Sequence, residues 1–91
     1  MEIIWDQKKN EWLSLNRLII FEEIADKILN DEYIDILENP GRDNQQYFIM
    51  EINDYTWVVP FLIDDEDRIV LKTASPSRKF HRKYGGQDED R

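Results

Sequence analysis

The stretch of sequence that decides the fold is YFIMEINDYTWVVPFLI, residues 47–63. In this part of the chain the apolar side chains recur with a period of two, which is typical of β-strands. Asn53 and Asp54 divide the stretch into two halves, and such a pair favours the two-residue turn of a β-hairpin. We therefore predict a strand over residues 47–52, a tight turn, and a second strand over residues 55–63.

Further strands flank this hairpin on both sides. Residues 33–37 alternate in the same way and predict a strand before it, and residues 68–73 predict the last strand after an acidic turn at residues 64–67. The short links between successive strands predict an antiparallel meander of three or four strands. Pro60 cannot donate a hydrogen bond to a neighbouring strand, so we expect a sheet edge or a bulge at that position.

Two helices are predicted before the sheet. Residues 2–5 predict a short strand, and Asp6 can cap a first helix that runs toward Asn16. The second helix has the most regular amphipathic spacing of the chain, i, i+3, i+4, i+7 and i+8. Its apolar residues are Phe21, Ile24, Ala25, Ile28 and Leu29. Ile20 stands where a capping Ser or Thr is expected, so the start of this helix lacks its usual side-chain cap.

The order of the elements predicts the fold class. Ser75 and Pro76 mark the start of a short basic helix that we expect to run to about Tyr84. The class is α+β: a strand, two helices, an antiparallel sheet of three to four strands and a short C-terminal basic helix, with the helices segregated to one face of the sheet. We expect residues 1–84 to form one domain and residues 85–91 to form an acidic, disordered tail.

The composition excludes several kinds of chemistry. A length of 91 residues suits one small domain, and the absence of cysteine excludes disulfides, a thiol nucleophile and thiolate metal ligands. A single histidine excludes catalysis by paired imidazoles and a multi-histidine zinc site. No apolar run approaches the roughly 20 residues that span a bilayer, and no signal peptide opens the chain. We therefore expect a soluble, cytoplasmic protein with no cofactor, no metal and no membrane partner.

The charges are unevenly distributed. The chain has 20 acidic and 12 basic residues, and the resulting net charge of −8 argues at first against a nucleic-acid partner. Residues 72–84, however, contain no acid, one histidine and five basic residues, which are Lys72, Arg78, Lys79, Arg82 and Lys83. In a helix, side chains four residues apart form a row, so the two arginines share one row and two of the lysines another.

This basic segment admits several interpretations. Arginine and lysine side chains suit phosphate groups, so the backbone of RNA is a natural ligand. Phe80 and Tyr84 are also four residues apart and can pack the helix onto the body of the protein. The alternatives are docking onto an acidic protein surface, neutralisation by the acidic body of the same chain, and a solvated helix face without a partner.

Other candidate residues also have a structural interpretation beside the functional one. His81 can act as a general acid or base near neutral pH, or can be an exposed helical histidine without a role. Tyr84 suits an anchor better than a catalyst. The spacing of the acidic residues 64–67 differs from that of a calcium-binding loop and favours a solvated turn. The tryptophans are core candidates, and Trp57 can alternatively stack on a nucleobase. The other two are Trp5 and Trp12.

Two segments near the ends of the chain resemble one known family. The first begins Trp5-Asp6-Gln7-Lys8-Lys9 and continues, after a spacer, as Arg17-Leu18-Ile19-Ile20-Phe21-Glu22-Glu23-Ile24. It matches without a gap a signature that runs Trp-Asp, two residues, Lys, and later His-Gly-Val-Ser-Phe-Glu-Glu-Ala. The second is Ser77-Arg78-Lys79, followed by Arg82, Lys83 and Tyr84, and it resembles an Ala-Arg-Lys motif with a basic run that ends in Tyr. The signature is that of the BrnT toxins, small RelE-like ribonucleases of bacterial type II toxin–antitoxin pairs, and in element order the resemblance covers residues 4–84.

The resemblance implies a RelE-like fold and metal-independent cleavage of RNA, in which a ribose 2′-hydroxyl attacks the adjacent phosphate. It implies that Arg78 and Lys79 stabilise the charge that develops on the phosphate, and that Lys9 and Arg17 join them from the first helix. His81 is the one imidazole that can serve as acid or base. The residues implied in binding flanking RNA are Lys72, Arg82, Lys83 and Tyr84. The implied partner is a cognate antitoxin, usually a small ribbon-helix-helix repressor.

Two positions depart from the family signature. Arg17 and Leu18 replace its His-Gly pair, so the family's imidazole is absent there, and Ile20 replaces its serine. The alternative function is therefore a non-catalytic interaction module, whose basic C-terminal helix docks on an acidic protein partner.

Overall fold

The computed structural model describes residues 1–42 and 44–85. The elements in chain order are β1 (Ile3–Trp5), α1 (Gln7–Arg17), α2 (Phe21–Leu29), β2 (Asp35–Glu38), β3 (Gln45–Ile52), β4 (Tyr55–Ile63), β5 (Ile69–Leu71), β6 (Ser75–Pro76), α3 (Arg78–Phe80) and a π-helical turn (His81–Gly85). The α+β prediction is confirmed. The predicted acidic tail lies outside the described residues, except for Gly85, which belongs to the π-helical turn instead.

The central hairpin forms as the sequence predicts. Strands β3 and β4 pair in antiparallel register from Ile52 opposite Tyr55 to Gln45 opposite Leu62. The turn between them is made by Asn53 and Asp54, whose φ angles are 53° and 65°. Positive φ at both central residues is the geometry of the hairpin turn that Asn and Asp tolerate best among non-glycine residues.

The sheet is mixed rather than purely antiparallel, which corrects the prediction. Its strand order is β1-β5-β4-β3-β2, and β6 pairs with β4 beyond the end of β5. Strand β1 lies at the edge and runs parallel to β5, with Ile3 opposite Ile69. Helices α1 and α2 lie between β1 and the meander in the chain, and a crossover of that length lets two strands pair in parallel. Nothing in a three-residue strand by itself reveals so distant a partner.

Pro60 lies inside the sheet and not at its edge, because β4 has neighbours on both sides. The backbone N–H of Lys72 donates a hydrogen bond to the Pro60 carbonyl at 2.9 Å, so the carbonyl of Pro60 faces the β5 side of β4. The register changes opposite Pro60. Between the pairing with β5 and the pairing with β6, residues 72–74 face only two residues of β4, 59 and 60. The irregularity therefore lies in the facing segment, where the missing N–H of proline is tolerated.

The segment after β5 also differs from the prediction. Ser75 and Pro76 do not start a helix, since they pair with Val58 and Trp57 as strand β6. The helix cap is Ser77, whose side chain accepts a hydrogen bond from the Phe80 N–H at 3.2 Å. The sequence offers serine on both sides of Pro76, and pairing with β4 decides which of them caps the helix.

The sheet is covered on both faces, so the predicted segregation of the helices to one face is wrong. On one face, strands β3 and β4 contribute Phe48, Met50, Trp57 and Val59 to a core with residues of α1 and α2. The helical residues of that core are Leu13, Phe21, Ile24 and Ile28. On the other face, Ile49 is fully buried. Ile49 lies opposite Asp35 and Val58 in the register, and Tyr84 bonds to Asp35 on this face, so the C-terminal segment covers it.

The start of α2 is capped from a neighbouring helix. Ile20 provides no side-chain cap, as the sequence indicates. Instead, the Oδ1 atom of Asn10 in α1 accepts a hydrogen bond from the Phe21 N–H at 2.7 Å, and its Nδ2 donates to Glu22 at 2.9 Å. Asn10 is one of two buried polar residues among those described, and both ends of its amide are paired. It therefore joins α1 to α2 in the place of a local cap.

Two further local features follow the sequence closely. Asp6 caps α1 as predicted, accepting a hydrogen bond from the Lys8 N–H at 3.0 Å. In the turn after β4, Asp64 accepts hydrogen bonds from the Arg68 N–H and the Arg68 side chain, at 2.9 and 2.8 Å. The backbone hydrogen bond is the main cause that lowers the pKa of the Asp64 carboxyl below its ordinary value of 3.8.

We expect Asn10→Ala to destabilise the fold by about 1–3 kcal/mol, because the buried Phe21 N–H loses its acceptor. Asn16→Ala on the same helix is the matched control, since the exposed Asn16 side chain bonds only to the carbonyl of Trp12. Urea unfolding of both variants measures the difference. Equal stabilities of the two variants would contradict the capping role of Asn10.

We expect Leu18→Gly to stabilise the protein by up to about 1 kcal/mol. Leu18 ends α1 with φ at 57°, in the left-handed region that favours glycine, and its side chain is 82% exposed. Leu15→Gly is the control, because Leu15 is 81% exposed but lies within α1, where glycine costs about 1 kcal/mol. Thermal melts should shift in opposite directions, and a shift in the same direction for both variants would refute this explanation.

Candidate nucleic-acid interface

Residues 78–85, which comprise α3 and the π-helical turn and are called the basic turn below, are held to the sheet by Thr56. The carbonyl of Thr56 accepts a hydrogen bond from the Ser77 N–H at 3.0 Å, at the start of the basic turn. The Thr56 hydroxyl lies 3.0 Å from Nδ1 of His81. Thr56 is 1% exposed, and its hydrogen bond to the half-buried His81 is partly buried. One buried strand residue thus holds the basic turn at two points.

His81 is a positioned imidazole and not an exposed helical histidine. Its ring stacks on Tyr55, with ring centroids 4.1 Å apart and ring planes 18° apart. Its Nδ1 is engaged by Thr56, which leaves Nε2 as the ring nitrogen that can exchange a proton with a ligand. The side chain is half-buried. These contacts restrain both the position and the rotation of the ring.

Gly85 packs against the same pair of residues. A Cβ atom added at Gly85 would lie 2.5 Å from the Thr56 hydroxyl oxygen and 2.7 Å from His81 Nδ1. These separations are shorter than real Cβ contacts, so a side chain at position 85 would force Thr56 or His81 to move. Gly85, which the sequence analysis places in the acidic tail, therefore packs against the Thr56–His81 hydrogen bond.

Tyr84 fixes the far end of the basic turn to another strand. Its hydroxyl donates a hydrogen bond to Asp35 in β2 at 3.0 Å. Asp35 is paired with Ile49, and Ile49 with Val58, so this bond spans the face that lies opposite the helical core. The structure therefore assigns Tyr84 the anchoring role that its sequence position suggests.

The basic turn carries four cations at its surface. Arg78, Lys79, Arg82 and Lys83 are all exposed. Lys79 Nζ lies 5.4 Å from the Phe80 ring centroid, and Lys83 Nζ lies 5.2 Å from that of Tyr84. In the part of the chain that the structure describes, Arg68 is the one basic residue in an ion pair with a carboxylate. The acidic body thus forms no direct ion pair with the basic turn among these residues.

The winding of the basic turn differs from the predicted α-helix. Only Arg78–Phe80 is α-helical, and the chain continues as a π-helical turn from His81. The predicted rows of side chains four residues apart therefore apply only in part. Short π-helical segments are rare and occur frequently at functional sites.

The predicted site residues of the first helix form a second group. Lys9 Nζ and Arg17 Cζ each lie 4.9 Å from the ring centroid of Trp12. Arg17 also donates a hydrogen bond from Nη1 to the carbonyl of Ala74 at 2.6 Å. The group therefore lies beside Ala74, in the link between β5 and β6. The exposed Lys72 is two residues before Ala74 in the same link.

The two groups are connected through Ala74, which Arg17 contacts and which precedes the basic turn in the chain. Ala74 lies four positions before Arg78 in the chain, and an extended backbone of that length spans at most about 14 Å. The structure thus brings Lys9 and Arg17 together, and keeps His81 and Tyr84 in the basic turn with its cations. It places no direct contact between Arg17 and Arg78 among the described side chains.

Several residues of this surface are not apparent from the sequence. Trp12, a core candidate by type, is 40% exposed, whereas Trp57 is buried in the core and cannot offer its ring to a base. Thr56 and Gly85 carry no sequence signal beyond their types. The signal for Trp12 is its spacing, because Lys9 lies three residues before it on the same helix.

The described residues contain no group of three or more His, Asp or Glu side chains placed to hold a metal ion. The acidic turn after β4 is exposed at Asp65, Glu66 and Asp67, while Asp64 is engaged by Arg68. No helix in the described part of the chain has the length and apolar character needed to cross a membrane.

The fold is that of a small α+β domain whose mixed sheet carries two helices on one face and a basic C-terminal turn on the other. A solved structure with this fold is the Brucella abortus ribonuclease toxin BrnT, with a TM-score of 0.64 and 17% sequence identity. The match covers 85% of this chain and 96% of that one. No family model and no curated protein matches the sequence. The fold implied by the two sequence segments is therefore confirmed by the structure.

We expect Gly85→Ala to lower stability by about 1–3 kcal/mol, because the added methyl group forces Thr56 or His81 to move. Gly41→Ala is the matched control, since a Cβ atom there meets only Asn39 Oδ1 at 3.6 Å. Thermal melts measure the cost. NMR spectra of the His81 ring and the Thr56 amide should change only in the Gly85 variant, and unchanged spectra would refute the close packing.

Proposed function

We propose that this protein is a BrnT-like ribonuclease toxin that cleaves RNA without a metal ion and is neutralised by a cognate antitoxin. The observation that carries the proposal is the basic turn, which is pinned to the sheet through Thr56 and Asp35 and presents four exposed cations. None of the four forms an ion pair with a described carboxylate. The fold shared with the Brucella toxin is the second support.

The proposed reaction is an internal transfer at phosphorus. The 2′-hydroxyl oxygen of a ribose forms a bond to the adjacent phosphorus, and the bond from phosphorus to the 5′-oxygen of the next nucleotide breaks. The proton of the 2′-hydroxyl passes to a base, and the leaving 5′-oxygen takes up a proton. The products are a 2′,3′-cyclic phosphate and a 5′-hydroxyl, and no metal is required for the balance.

The charges of the basic turn suit this reaction. Negative charge increases on the phosphate oxygens in the transition state, and fixed cations that are already oriented stabilise it. Arg78 and Lys79 take this role in the proposal, because they lie at the capped start of α3. Lys9 and Arg17 complete the catalytic set from α1. Flanking RNA is bound by Lys72, Arg82, Lys83 and Tyr84.

His81 takes the role of the acid or base. Its Nδ1 is held by the Thr56 hydroxyl and its ring by Tyr55, so Nε2 has a restrained direction. Histidine is the side chain that most often serves as general acid or base in enzymes. Thr56 is a positioning residue in this scheme, because it acts through His81.

The proposed partner is an antitoxin, in the simplest case a ribbon-helix-helix protein, that masks the basic turn in the cytoplasm. We propose residues 1–84 as the toxin domain, extended by Gly85 because of its packing on His81. The second candidate function, a non-catalytic module, uses the same exposed cations to bind an acidic protein. Cleavage of RNA separates the two, because only the toxin performs it.

Expression of the chain in bacteria without an antitoxin is expected to arrest growth, and Arg78→Ala with Lys79→Ala is expected to relieve the arrest. Loss of one oriented donor typically lowers a rate by about 10²–10³-fold. Lys8→Ala with Arg42→Ala is the matched control, because it removes one exposed lysine and one exposed arginine elsewhere and should remain toxic.

The purified protein should cleave RNA in the presence of EDTA and leave 2′,3′-cyclic phosphate ends. Folded wild-type protein that neither arrests growth nor cleaves RNA would refute the ribonuclease function. Capture of an acidic protein that Arg78→Glu with Arg82→Glu releases would then establish the non-catalytic module.

A further inference from the structure

Trp12 is an exposed aromatic ring with two cations near it. Lys9 Nζ and Arg17 Cζ each lie 4.9 Å from its ring centroid, within the range of a cation–π interaction. The side chain is nevertheless 40% exposed, so part of the indole remains accessible. The three residues form what we call the Trp12 cluster.

The Trp12 cluster is held in place by the sheet. Arg17 is half-buried and donates a hydrogen bond to the Ala74 carbonyl at 2.6 Å, which ties the end of α1 to the β5–β6 link. A second guanidinium edge is left for a ligand, because this group carries five N–H donors. The guanidinium of Arg17 is thus held in place before any ligand arrives, which reduces the entropy that it loses on binding.

The electrostatics of the Trp12 cluster favour an anionic ligand. Neither Lys9 nor Arg17 is in an ion pair with a carboxylate of the described residues, although the chain carries 20 acidic residues. An aromatic ring with flanking cations is the combination that binds single-stranded nucleic acid, because the ring stacks on a base and the cations contact the phosphates.

We propose that the Trp12 cluster is a nucleotide-binding subsite for single-stranded RNA, in which Trp12 stacks on a base and Lys9 and Arg17 contact the adjoining phosphates. The subsite lies next to Ala74, within about 14 Å of backbone from Arg78, so one strand can contact it and the basic turn together. This inference rests on the proposed action on RNA. It adds to the proposed RNA-binding residues one that contacts a base rather than the RNA backbone.

The test is the binding of a fluorescently labelled, single-stranded 2′-O-methyl RNA, which lacks the attacking hydroxyl and cannot be cleaved. Trp12→Ala is expected to weaken binding by about 5- to 150-fold, the range found for loss of one base–aromatic stack. Trp12→Phe should recover most of the affinity. Leu15→Ala, which removes another exposed apolar side chain from α1, should leave binding unchanged.

The salt dependence separates stacking from charge. Trp12→Ala should leave the slope of log affinity against log salt unchanged, whereas Lys9→Ala should reduce it by about 1. Lys8→Ala removes the same charge from a neighbouring exposed position and is the control for Lys9→Ala. A duplex RNA, whose bases are already stacked, should bind wild type and Trp12→Ala equally.

Two results would overturn the subsite. One is equal binding of the single strand by wild type and Trp12→Ala. The other is an equal loss for the duplex and the single strand, which would make Trp12 a positioning residue for the cations alone. Cleavage does not enter this measurement, so failure to cleave unmodified RNA would refute the ribonuclease and leave the subsite intact. Cleavage with an unaffected Trp12→Ala variant would refute the subsite alone.

Discussion

Strand β4 is hydrogen-bonded along both of its edges, and the rest of the structure is placed relative to it. One edge pairs with β3, and the other pairs first with β5 and then with β6. Backbone groups buried in a sheet must be paired, so the second edge draws the C-terminal segment alongside β4. Thr56, near the start of β4, is then hydrogen-bonded to both Ser77 and His81. The position of the basic turn is therefore a consequence of completing the second edge of one strand.

The charge distribution complements this architecture. The acidic residues lie over the body, and the exposed cations of the basic turn form no ion pair with them among the described residues. A molecule charged in this way attracts an anion toward one surface and repels it from the others, with a range set by the ionic strength. The net charge of −8 thus describes the sum and not the field near the basic turn.

Some of the fold and site could be predicted because the controlling interactions are local. The hairpin follows from Asn53 and Asp54, which tolerate positive φ, and α2 follows from its apolar spacing. The rest depends on residues distant in sequence. Asn10 caps a helix that begins eleven residues later, and β1 pairs with β5, the last strand of the meander. Trp12 is exposed because the core is filled by Leu13 and the strands, which residue type alone does not reveal.

The sequence by itself determined the α+β class, the hairpin, the amphipathic second helix and the concentration of positive charge between residues 72 and 84. These features arise from side-chain periodicity, turn geometry and composition, which act over a few residues. Only the tertiary structure decided that the sheet is mixed, that its second face is covered by the basic turn, and that His81 is held by Thr56. The physical reason is that hydrogen bonding along strand edges and burial of both sheet faces are satisfied by whichever distant segment reaches them, and folding makes that choice.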